Sequence, residues 1–381
     1  MSQKNTESRP RFVVAMSGGV DSSVAAWMMG EEDYEVIGLF MRNGVKVEES
    51  ETRKKSCCST SDARDARMVA AKLGLSFHSL DLSKEFRQII TYFLDEYAAG
   101  RTPNPCAVCN RDLKFDELLR FADELGAEGI ATGHYARLDI IDGRVHVRRG
   151  VDRNKDQSYQ LFCVAEENLR RTRLPLGGLQ KPEVRAMAEK IGLRTAKKAD
   201  SQEICFVPSN DYRELLKQEG RELHPGEFRD TAGKVIGTHE GTEHFTIGQR
   251  RGHGIGGGRP LYVVEVNPET GTVVLGGREE ADFISMRIDG GLNWIGFDLP
   301  ESGEFRCTVQ HRYHCVPAAA LVRVTDGKAH VLFDEPQLAV TAGQGAAFYE
   351  GDRLLGGGWI SSAERNTAGA VDQVCEGSER S

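Results

Sequence analysis

The sequence lacks the features of a membrane or secreted protein. It contains no apolar run of about 18 residues, the length that a membrane-spanning helix requires. Its first residues, MSQKNTESRP, are polar, with neither the apolar core of a secretory signal nor the marks of a transit peptide. We therefore expect a cytoplasmic protein that does not associate with membranes.

The patterns of zinc sites and glutaminases are incomplete or missing as well. Cys106 and Cys109 form a C-x-x-C pair, but neither a second C-x-x-C nor an H-x-x-x-H motif accompanies it. Because a zinc site needs such a second half, we predict no structural metal centre. The pair still leaves open a redox couple, half of a zinc site or, with Cys205, an iron–sulfur site. The signature of a glutamine amidotransferase is absent, which disfavours that class.

The composition is that of a polar chain with several domains. Its 381 residues suggest two or three domains, and 39% hydrophobic residues suffice to build their cores. The nine cysteines are an odd number, which argues against a disulfide framework in a cytosolic chain. The net charge of −8 argues mildly against a nucleic-acid partner, although a local basic patch is enough for binding.

The order of segments predicts an α/β fold followed by β-rich domains. From residue 11 to about 140, strand-like and helix-like segments alternate, which predicts a Rossmann-like, doubly wound parallel sheet. Ligands of such sheets bind at the carboxyl ends of the strands, where Gly18, Met41 and Gly133 fall. Later segments are short, β-rich and evenly spaced, which predicts a small closed barrel at the end. We predict domains at 1–210, 211–280 and 281–362, and a disordered tail at 363–381.

The most informative segment is Ser17–Ser22, with the sequence Ser-Gly-Gly-Val-Asp-Ser. It follows an apolar strand-like run and precedes an apolar helix-like run. Its glycines allow the backbone to approach an anion, which then faces the N–H groups and positive dipole end of the helix. No lysine follows the glycines, so this is not the GxxxxGK[ST] loop of common NTPases. An ordinary strand-to-helix turn is the alternative.

Two cysteine neighbourhoods suggest further chemistry. Cys109 precedes a helix that we predict at Asp112–Leu125, and the dipole of that helix would favour a thiolate. Arg111 and Lys114 would act in the same direction. Cys205 lies far along the chain, and the spacing does not say whether the two thiols meet. A plain buried cysteine is the alternative for Cys205.

Together these segments resemble the tRNA-specific 2-thiouridylases, which belong to the PP-loop ATP pyrophosphatases. Ser17–Ser22 is similar to the SGGxDS loop of that superfamily, and the resemblance covers about residues 10–360. Thr246–Gly252, with the glycine-rich segment after it, is among the most family-specific blocks. The other blocks are Met16–Ser22, Leu39–Asn43, Gly100–Asn110, Ala131–Ala136, Lys155–Leu161, Ser201–Phe206, Ala339–Gln344 and Leu355–Ile360.

The resemblance implies an ATP-dependent sulfurtransferase. ATP would adenylate the oxygen on carbon 2 of the wobble uridine of certain tRNAs, which turns a poor leaving group into a good one. A cysteine persulfide would deliver sulfur to that carbon, giving 2-thiouridine, AMP and pyrophosphate. The implied cofactors are ATP and Mg²⁺, with persulfide sulfur as co-substrate. The implied partners are tRNA and a sulfur-donor protein, either a cysteine desulfurase or a sulfur-relay protein.

The same resemblance implies the site residues. Cys109 would be the nucleophile, and Cys205 would carry the persulfide. Asp21 would also help to hold Mg²⁺, and Asn104–Cys106 would contact the flipped target base. The implied ATP-binding residues are Ala15, Met16, Ser17, Gly18, Gly19, Val20, Asp21, Ser22, Met41 and Gly133. The implied tRNA-binding residues are Asn104, Pro105, Cys106, His134, Lys155, Asp156, Gln157, Arg312, Tyr313 and Gln344.

The chain departs from the family pattern at several positions. Cys106 stands where the family often has an acidic residue, and Gly44 stands where a tryptophan is usual. His311–His314 differs from the usual arginine-tyrosine-arginine. Two other classes stay open: a PP-loop ligase similar to argininosuccinate or GMP synthetase, which would need no cysteine pair, and a non-catalytic tRNA-binding protein.

Overall fold

The computed structural model describes residues 9–45, 60–199, 204–207, 211–256 and 258–365. Cys57, Cys58 and Cys375 lie outside these residues, as do residues 201–203, which precede Cys205. In the part of the chain that is described, no helix is both long and apolar enough to cross a membrane.

The N-terminal half alternates strands and helices close to the predicted positions. The strands are β1 (Arg11–Ala15), β2 (Glu35–Arg42), β3 (Ser76–Asp81), β4 (Gly129–Ala131), β5 (Ala136–Ile141), β6 (Arg144–Arg149) and β7 (Thr172–Arg173). The helices are α1 (Val20–Glu31), α2 (Thr60–Leu73), α3 (Ser83–Ala98), α4 (Pro105–Cys109), α5 (Leu118–Glu124), α6 (Glu166–Arg170), α7 (Lys181–Lys190) and α8 (Tyr212–Gln218).

Five parallel strands form a sheet in the order β3-β2-β1-β4-β7. The central strand β1 alternates its side chains between two cores: Val13 packs on the side of α5, and Val14 packs on the side of α1 and α2. Both valines are fully buried, and each burial stabilises the fold by roughly 1.5–3 kcal/mol. The predicted doubly wound parallel sheet is confirmed. Its strand order reverses between β1 and β4, the position at which such sheets bind ligands.

The helix around Cys109 differs from the prediction. It begins with α4 at Pro105, because Asn104 caps it and accepts a hydrogen bond from Ala107 N at 3.2 Å. Cys106 therefore lies in the first turn, and Cys109 is the last residue of α4. A π-helical stretch, Asn110–Glu117, then leads into α5. The predicted start of this helix at Asp112 is wrong, since the cap and the proline start it earlier.

The middle of the chain forms a small four-stranded sheet. Its strands are β8 (Gly226–Asp230), β9 (Val235–His239), β10 (Tyr262–Asn267) and β11 (Thr272–Gly276). They are ordered β10-β11-β8-β9, with β11 and β8 parallel. Phe228, Val263 and Leu275 form its buried core. The predicted β-rich central domain is confirmed.

The C-terminal strands form one ten-stranded antiparallel sheet, which corresponds to the predicted β-barrel. Its order is β19-β12-β16-β15-β14-β17-β18-β6-β5, with β13 beside β18. The bounds are β12 (Asp282–Ile288), β13 (Asn293–Trp294), β14 (Glu304–Gln310), β15 (Ala318–Thr325), β16 (Lys328–Leu338), β17 (Gly345–Glu350), β18 (Arg353–Trp359) and β19 (Ser362–Arg365).

Two features of this sheet were not expected from the sequence. The β5–β6 hairpin of the N-terminal half extends it, since Leu354 of β18 pairs with Val147 of β6. At the other end β19 pairs with β12, and Ala363 packs on the core. Residues 363–365 of the predicted tail therefore belong to the sheet, and residues 366–381 lie outside the described chain.

Candidate active site

The loops after β1 and β4 meet at the point where the strand order reverses. Gly18 has φ +73°, and a Cβ there would lie 2.3 Å from Asp62 O in α2. A Cβ at Gly133 would lie 2.9 Å from Asp21 C and from Ser22 N. Because only glycine permits these approaches, Gly133 sets the distance between the two loops, and Gly18 sets the distance from the first loop to α2.

The loop after β1 is fixed by its own hydroxyl groups. Ser22 Oγ accepts a hydrogen bond from Ser17 N at 3.1 Å, and Ser23 Oγ donates to Gly19 O at 2.7 Å. Within the described chain no side chain caps the N-terminus of α1 at Gly19. The helix therefore presents its N-terminal N–H groups and positive dipole end at this loop, an arrangement suited to an anion.

A cavity of about 750 Å³ opens over this loop and extends to the helix that carries Cys109. Most of the implied site residues line it. From the ATP set these are Ala15, Met16, Ser17, Gly19, Val20, Asp21, Ser22, Met41 and Gly133. From the other sets they are Pro105, Cys106, Cys109, His134, Lys155, Gln157, Cys205 and Tyr313. The implied residues that do not line it are Gly18, Asn104, Asp156, Arg312 and Gln344.

Asp21 is held by two side chains from other elements. Lys181 Nζ lies 2.7 Å from each of its carboxylate oxygens, and Tyr135 donates its hydroxyl hydrogen to Asp21 at 2.8 Å. Both partners line the cavity. Sequence reasoning missed Lys181, because it lies at the start of α7, far along the chain from the loop and with no local motif around it.

A second lysine braces the loop from the side of α2. Lys198 Nζ donates to Gly18 O at 2.9 Å, to Asp62 at 2.6 Å and to Asp65 at 2.8 Å. Burial alone would lower the pKa of Lys198, but the hydrogen bonds to the two carboxylates outweigh it and raise that pKa. Lys198 is therefore charged at neutral pH. In the sequence Lys198 stands only near two other basic residues, Arg194 and Lys197, with no motif around it.

The two implied catalytic cysteines line the same cavity. Both also pack against one apolar cluster, which includes Phe86 and Phe206. Cys109 comes from the end of α4, whereas Cys205 lies on a short segment after α7. Residues far apart in the sequence are thus brought to one chamber, which the sequence spacing did not reveal.

The basic residues near Cys109 face different sides of the helix. Arg111 forms an ion pair with Asp112 at 2.5 Å and lines a separate surface groove. Lys114 lines the cavity with Cys109. Of the two basic residues expected to favour a thiolate, Lys114 thus shares the cavity with Cys109, whereas the charge of Arg111 is paired with Asp112.

Three of the residues that the resemblance implied as tRNA contacts are buried and form hydrogen bonds within the protein. Asn104 caps α4, as described above. Gln344 is 8% exposed, and its Nε2 donates to Thr102 O at 3.2 Å and to Pro103 O at 2.8 Å. Asp156 is also buried and accepts hydrogen bonds from Gly150 N at 2.9 Å and Ser158 N at 3.1 Å. These side chains position the loops around the cavity.

The C-terminal sheet domain also contributes to the cavity wall. Tyr313 and His314 line it, with ring centroids 3.9 Å apart. Arg312 lies beside them but not on the wall. Gln157 lines the wall as well, and its Oε1 accepts a hydrogen bond from Tyr135 N at 3.0 Å.

Asn43 is a further polar group that the sequence did not single out as a site residue. It follows β2, lines the cavity and is 6% exposed. Its Oδ1 accepts a hydrogen bond from Val45 N at 3.1 Å. Its buried Nδ2 has no hydrogen-bond partner within the described ranges of the chain. A buried amide donor of this kind is suited to an acceptor atom of a bound molecule.

The described residues contain no group of three or more His, Cys, Asp or Glu side chains that could hold a metal ion. The carboxylate on the loop after β1 is that of Asp21, an oxygen donor of the kind that Mg²⁺ takes, and in this structure both of its oxygens are bound by Lys181.

Three family models match consecutive segments of the chain, one for each domain. The family model described as "tRNA methyl transferase HUP domain" matches residues 10–209. The one described as "tRNA methyl transferase PRC-barrel domain" matches residues 213–277, and "Aminomethyltransferase beta-barrel domain" matches residues 288–360. The fold and the cavity thus define an α/β protein of the HUP class with two appended β domains.

Curated relatives align over nearly the full chain. The tRNA-specific 2-thiouridylase MnmA of Geobacter metallireducens is 48% identical over 363 residues, which is 94% of this chain and 98% of the relative. That of Carboxydothermus hydrogenoformans is 48% identical over 359 residues, 92% and 98% of the two chains. The chain therefore belongs to the tRNA-specific 2-thiouridylase family of enzymes, as the resemblance predicted.

Solved structures match more weakly. A 4-thiouridine synthetase in complex with RNA and bound ATP has a TM-score of 0.35 and 20% identity over 55% of this chain and 50% of that chain.

Proposed function

We propose that this enzyme converts the wobble uridine of tRNA to 2-thiouridine in the cytoplasm, using ATP and the sulfur of a cysteine persulfide. One observation carries the proposal: Cys109 and Cys205 line the same cavity as the anion-binding loop after β1. An activated base and two thiols can therefore occupy one partly enclosed space, which the reaction requires.

ATP is proposed to bind with its phosphates on the loop of Ser17–Ser22 and its base and ribose toward Met41 and Gly133. The uncapped N-terminus of α1 supplies positive charge on that side. Lys181 and Lys198 line the cavity there as members of ion pairs with Asp21, Asp62 and Asp65. Mg²⁺ would neutralise phosphate charge and would be held by ATP oxygens together with the carboxylate of Asp21.

The target uridine is proposed to enter the cavity from the tRNA after leaving its stack. Lys155 and Gln157 line the wall from the N-terminal half, and Tyr313 lines it from the C-terminal sheet. Their positions support contacts to the flipped nucleotide, with Arg312 at the rim. Pro105 and Cys106 sit beside Cys109 and would border the base.

In the proposed sulfur transfer, Cys205 delivers the sulfur and the thiol of Cys109 releases it to the base. The terminal sulfur of the Cys205 persulfide attacks carbon 2 of the adenylated uridine, and AMP leaves with the electron pair of the carbon–oxygen bond. The Cys109 thiolate then attacks the sulfur of Cys205, the bond from that sulfur to the transferred sulfur breaks, and the base retains a C=S group. The resulting Cys109–Cys205 disulfide is returned to thiols by an external thiol reductant, and a donor protein restores the persulfide.

The test is mass analysis of nucleosides from tRNA incubated with the protein, ATP, Mg²⁺, a thiol and a cysteine desulfurase with free cysteine, which supplies sulfur at the persulfide level. We expect 2-thiouridine together with AMP. Cys109→Ser and Cys205→Ser should each abolish 2-thiouridine while ATP still binds. Cys307→Ser, in β14 and away from the cavity, is the matched control and should retain activity.

The outcomes separate the competing functions. ATP consumption that needs neither cysteine would indicate a ligase acting on a small molecule and would contradict the proposal. Tight binding of tRNA without any release of AMP would indicate a non-catalytic RNA-binding protein.

A further inference from the structure

The π-helical stretch after Cys109 places a cation on the same wall as that cysteine. In a π-helix each N–H bonds the carbonyl five residues earlier, as the N–H of Leu118 does with Leu113 O. Side chains five residues apart therefore lie on the same face. Lys114 stands five residues after Cys109, and both line the cavity. In an α-helix, residues three or four apart share a face, so the side chains of Cys109 and Lys114 would point to different faces.

A chain of hydrogen bonds holds the ammonium group of Lys114 in place. Lys114 Nζ donates to Asn110 Oδ1 at 3.0 Å, and His134 Nε2 lies 3.2 Å from the same oxygen. Asn110 Nδ2 donates to Gln160 O at 3.0 Å, which identifies the other end of the amide as the oxygen. His134 Nε2 must therefore carry a hydrogen. Its Nδ1 accepts from the hydroxyl of Thr132 at 2.6 Å.

Both ring nitrogens of His134 are thus used inside the protein. The side chain is 7% exposed. Burial, and to a lesser extent the charge of Lys114, holds the pKa of His134 well below its usual range. The imidazole is therefore neutral at physiological pH and has no further N–H for an RNA phosphate.

The other charged groups of the cavity lie elsewhere on its wall. The carboxylates of Asp21 and Asp62 each bind a lysine on the side of the phosphate loop. Arg42, Lys155 and His314 are basic side chains on other segments. The remaining titratable side chains on the wall are Cys106, Cys205, Tyr135 and Tyr313. Of the basic residues on the cavity wall within the described chain, Lys114 is the one that shares a helix with Cys109.

We propose that Lys114 stabilises the thiolate of Cys109, and that Asn110 and His134 are positioning residues that hold its ammonium group, His134 making no contact with RNA. This inference rests on the proposed role of Cys109 as a nucleophile. A cation in a partly enclosed cavity favours the charged thiolate over the thiol, and the thiolate is the form that attacks sulfur.

The experiment follows the alkylation of Cys109 by iodoacetamide in the reduced full-length protein, using peptide mass analysis between about pH 6 and 10. Lys114→Gln should move the midpoint of the alkylation profile to higher pH and slow the reaction at neutral pH by roughly three- to tenfold. Lys114→Arg should restore most of the rate. Arg111→Gln is the matched control on the same helix and should leave the profile unchanged. A Lys114→Gln profile that coincides with that of the unchanged protein overturns the proposal.

A second pair of measurements tests His134. His134→Gln should slow the alkylation of Cys109, while the Kd for tRNA stays within about twofold of the unchanged protein's value. An unchanged alkylation profile overturns the positioning role, and a larger loss of tRNA affinity overturns the absence of RNA contact. Asn110→Ala removes Oδ1, the oxygen bonded by both Lys114 and His134. If the histidine variant does not fold, this variant tests the same hydrogen-bonded chain. Because the alkylation assay contains neither ATP nor tRNA, failure of the proposed function would not change its result.

Discussion

Lys181 Nζ lies 2.7 Å from both carboxylate oxygens of Asp21, although 160 residues separate the two in the sequence. The phosphate loop has no lysine of its own, and this contact brings one to it from α7. The lysine is 8% exposed, so its charge acts in an environment with little water. The arrangement makes the side of the cavity proposed to hold ATP dependent on α7.

Replacing Lys181 should impair the use of ATP and spare tRNA binding. Lys181→Gln removes a charge-assisted contact of roughly 1.5–3 kcal/mol and leaves Asp21 without its cation, so we expect the KM for ATP to rise about tenfold or more. Steady-state kinetics of AMP release and a tRNA-binding assay measure the two effects. Lys190→Gln, at the exposed end of the same helix, is the control. A KM for ATP that stays unchanged in Lys181→Gln would show that this contact does not serve nucleotide binding.

A methyl group at Gly133 should disturb the nucleotide site. Gly133→Ala places a Cβ 2.9 Å from backbone atoms of Asp21 and Ser22, which cannot move as a flexible side chain can. We expect a loss of about 1–3 kcal/mol in the free energy of unfolding and weaker ATP binding. Gly30→Ala in α1, where a Cβ meets no atom within 4 Å, should be neutral or stabilising. Equal unfolding midpoints for the two variants would refute the close approach.

Gln344 should act as an anchor of the loop before α4. Gln344→Ala leaves the buried carbonyls of Thr102 and Pro103 without their donor, which costs roughly 1–3 kcal/mol in the free energy of unfolding. Denaturant unfolding measures that loss, and Gln218→Ala, an exposed glutamine at the end of α8, is the control. If Gln344→Ala lowers only the affinity for tRNA and keeps full stability, the residue contacts RNA as the resemblance implied.

His311 should make the stability of the fold depend on pH. Burial, and then the charge of Arg312, lowers the pKa of His311 to about 4, whereas the unfolded chain titrates near 6.5. The unfolded state therefore binds the proton first, so the stabilisation is complete above about pH 6.5 and is lost as pH falls toward 4. The loss by pH 5 is about 2 kcal/mol from this group.

Unfolding curves at several pH values test this dependence. His311→Asn should show a shallower loss of stability between about pH 6.5 and 5 than the unchanged protein. His314→Asn is the control, because His314 is exposed and sits at φ +65°, which asparagine tolerates. Parallel curves for His311→Asn and the unchanged protein would rule out the titration.

The sequence predicted the sheet because its signals are local, and the proposed phosphate loop is also marked by local residues. Strong apolar runs mark β1 and β2, and a glycine-rich turn with its serines lies within a few residues of α1. The start of α4 was missed because the cap of Asn104 and Pro105 was not read as a helix signal. The sequence pattern of residues 110–117 does not distinguish a π-helix from an α-helix, so the π-helical stretch was not predicted.

Long-range contacts were the part that sequence reasoning could not supply. Lys181 and Lys198 reach the loop only after α7 has packed beside α1, and neither carries a motif. The resemblance named His134, Asp156 and Gln344 as RNA contacts, but hydrogen-bond partners become visible only in three dimensions. Sequence spacing could not show that Cys109 and Cys205 line one cavity, which the fold does show.

The hairpin of β5 and β6 has a consequence for how the enzyme can be divided. It belongs by sequence to the ATP-binding half, yet it completes the sheet of the opposite half through β18. If the polypeptide were cut near residue 210 and the two pieces separated, β6 and β18 would each lose a hydrogen-bonded neighbour. Such unpaired edge strands tend to pair with strands of other molecules. We therefore expect the two halves to unfold together, and a protein cut at this position should remain a complex of its two fragments.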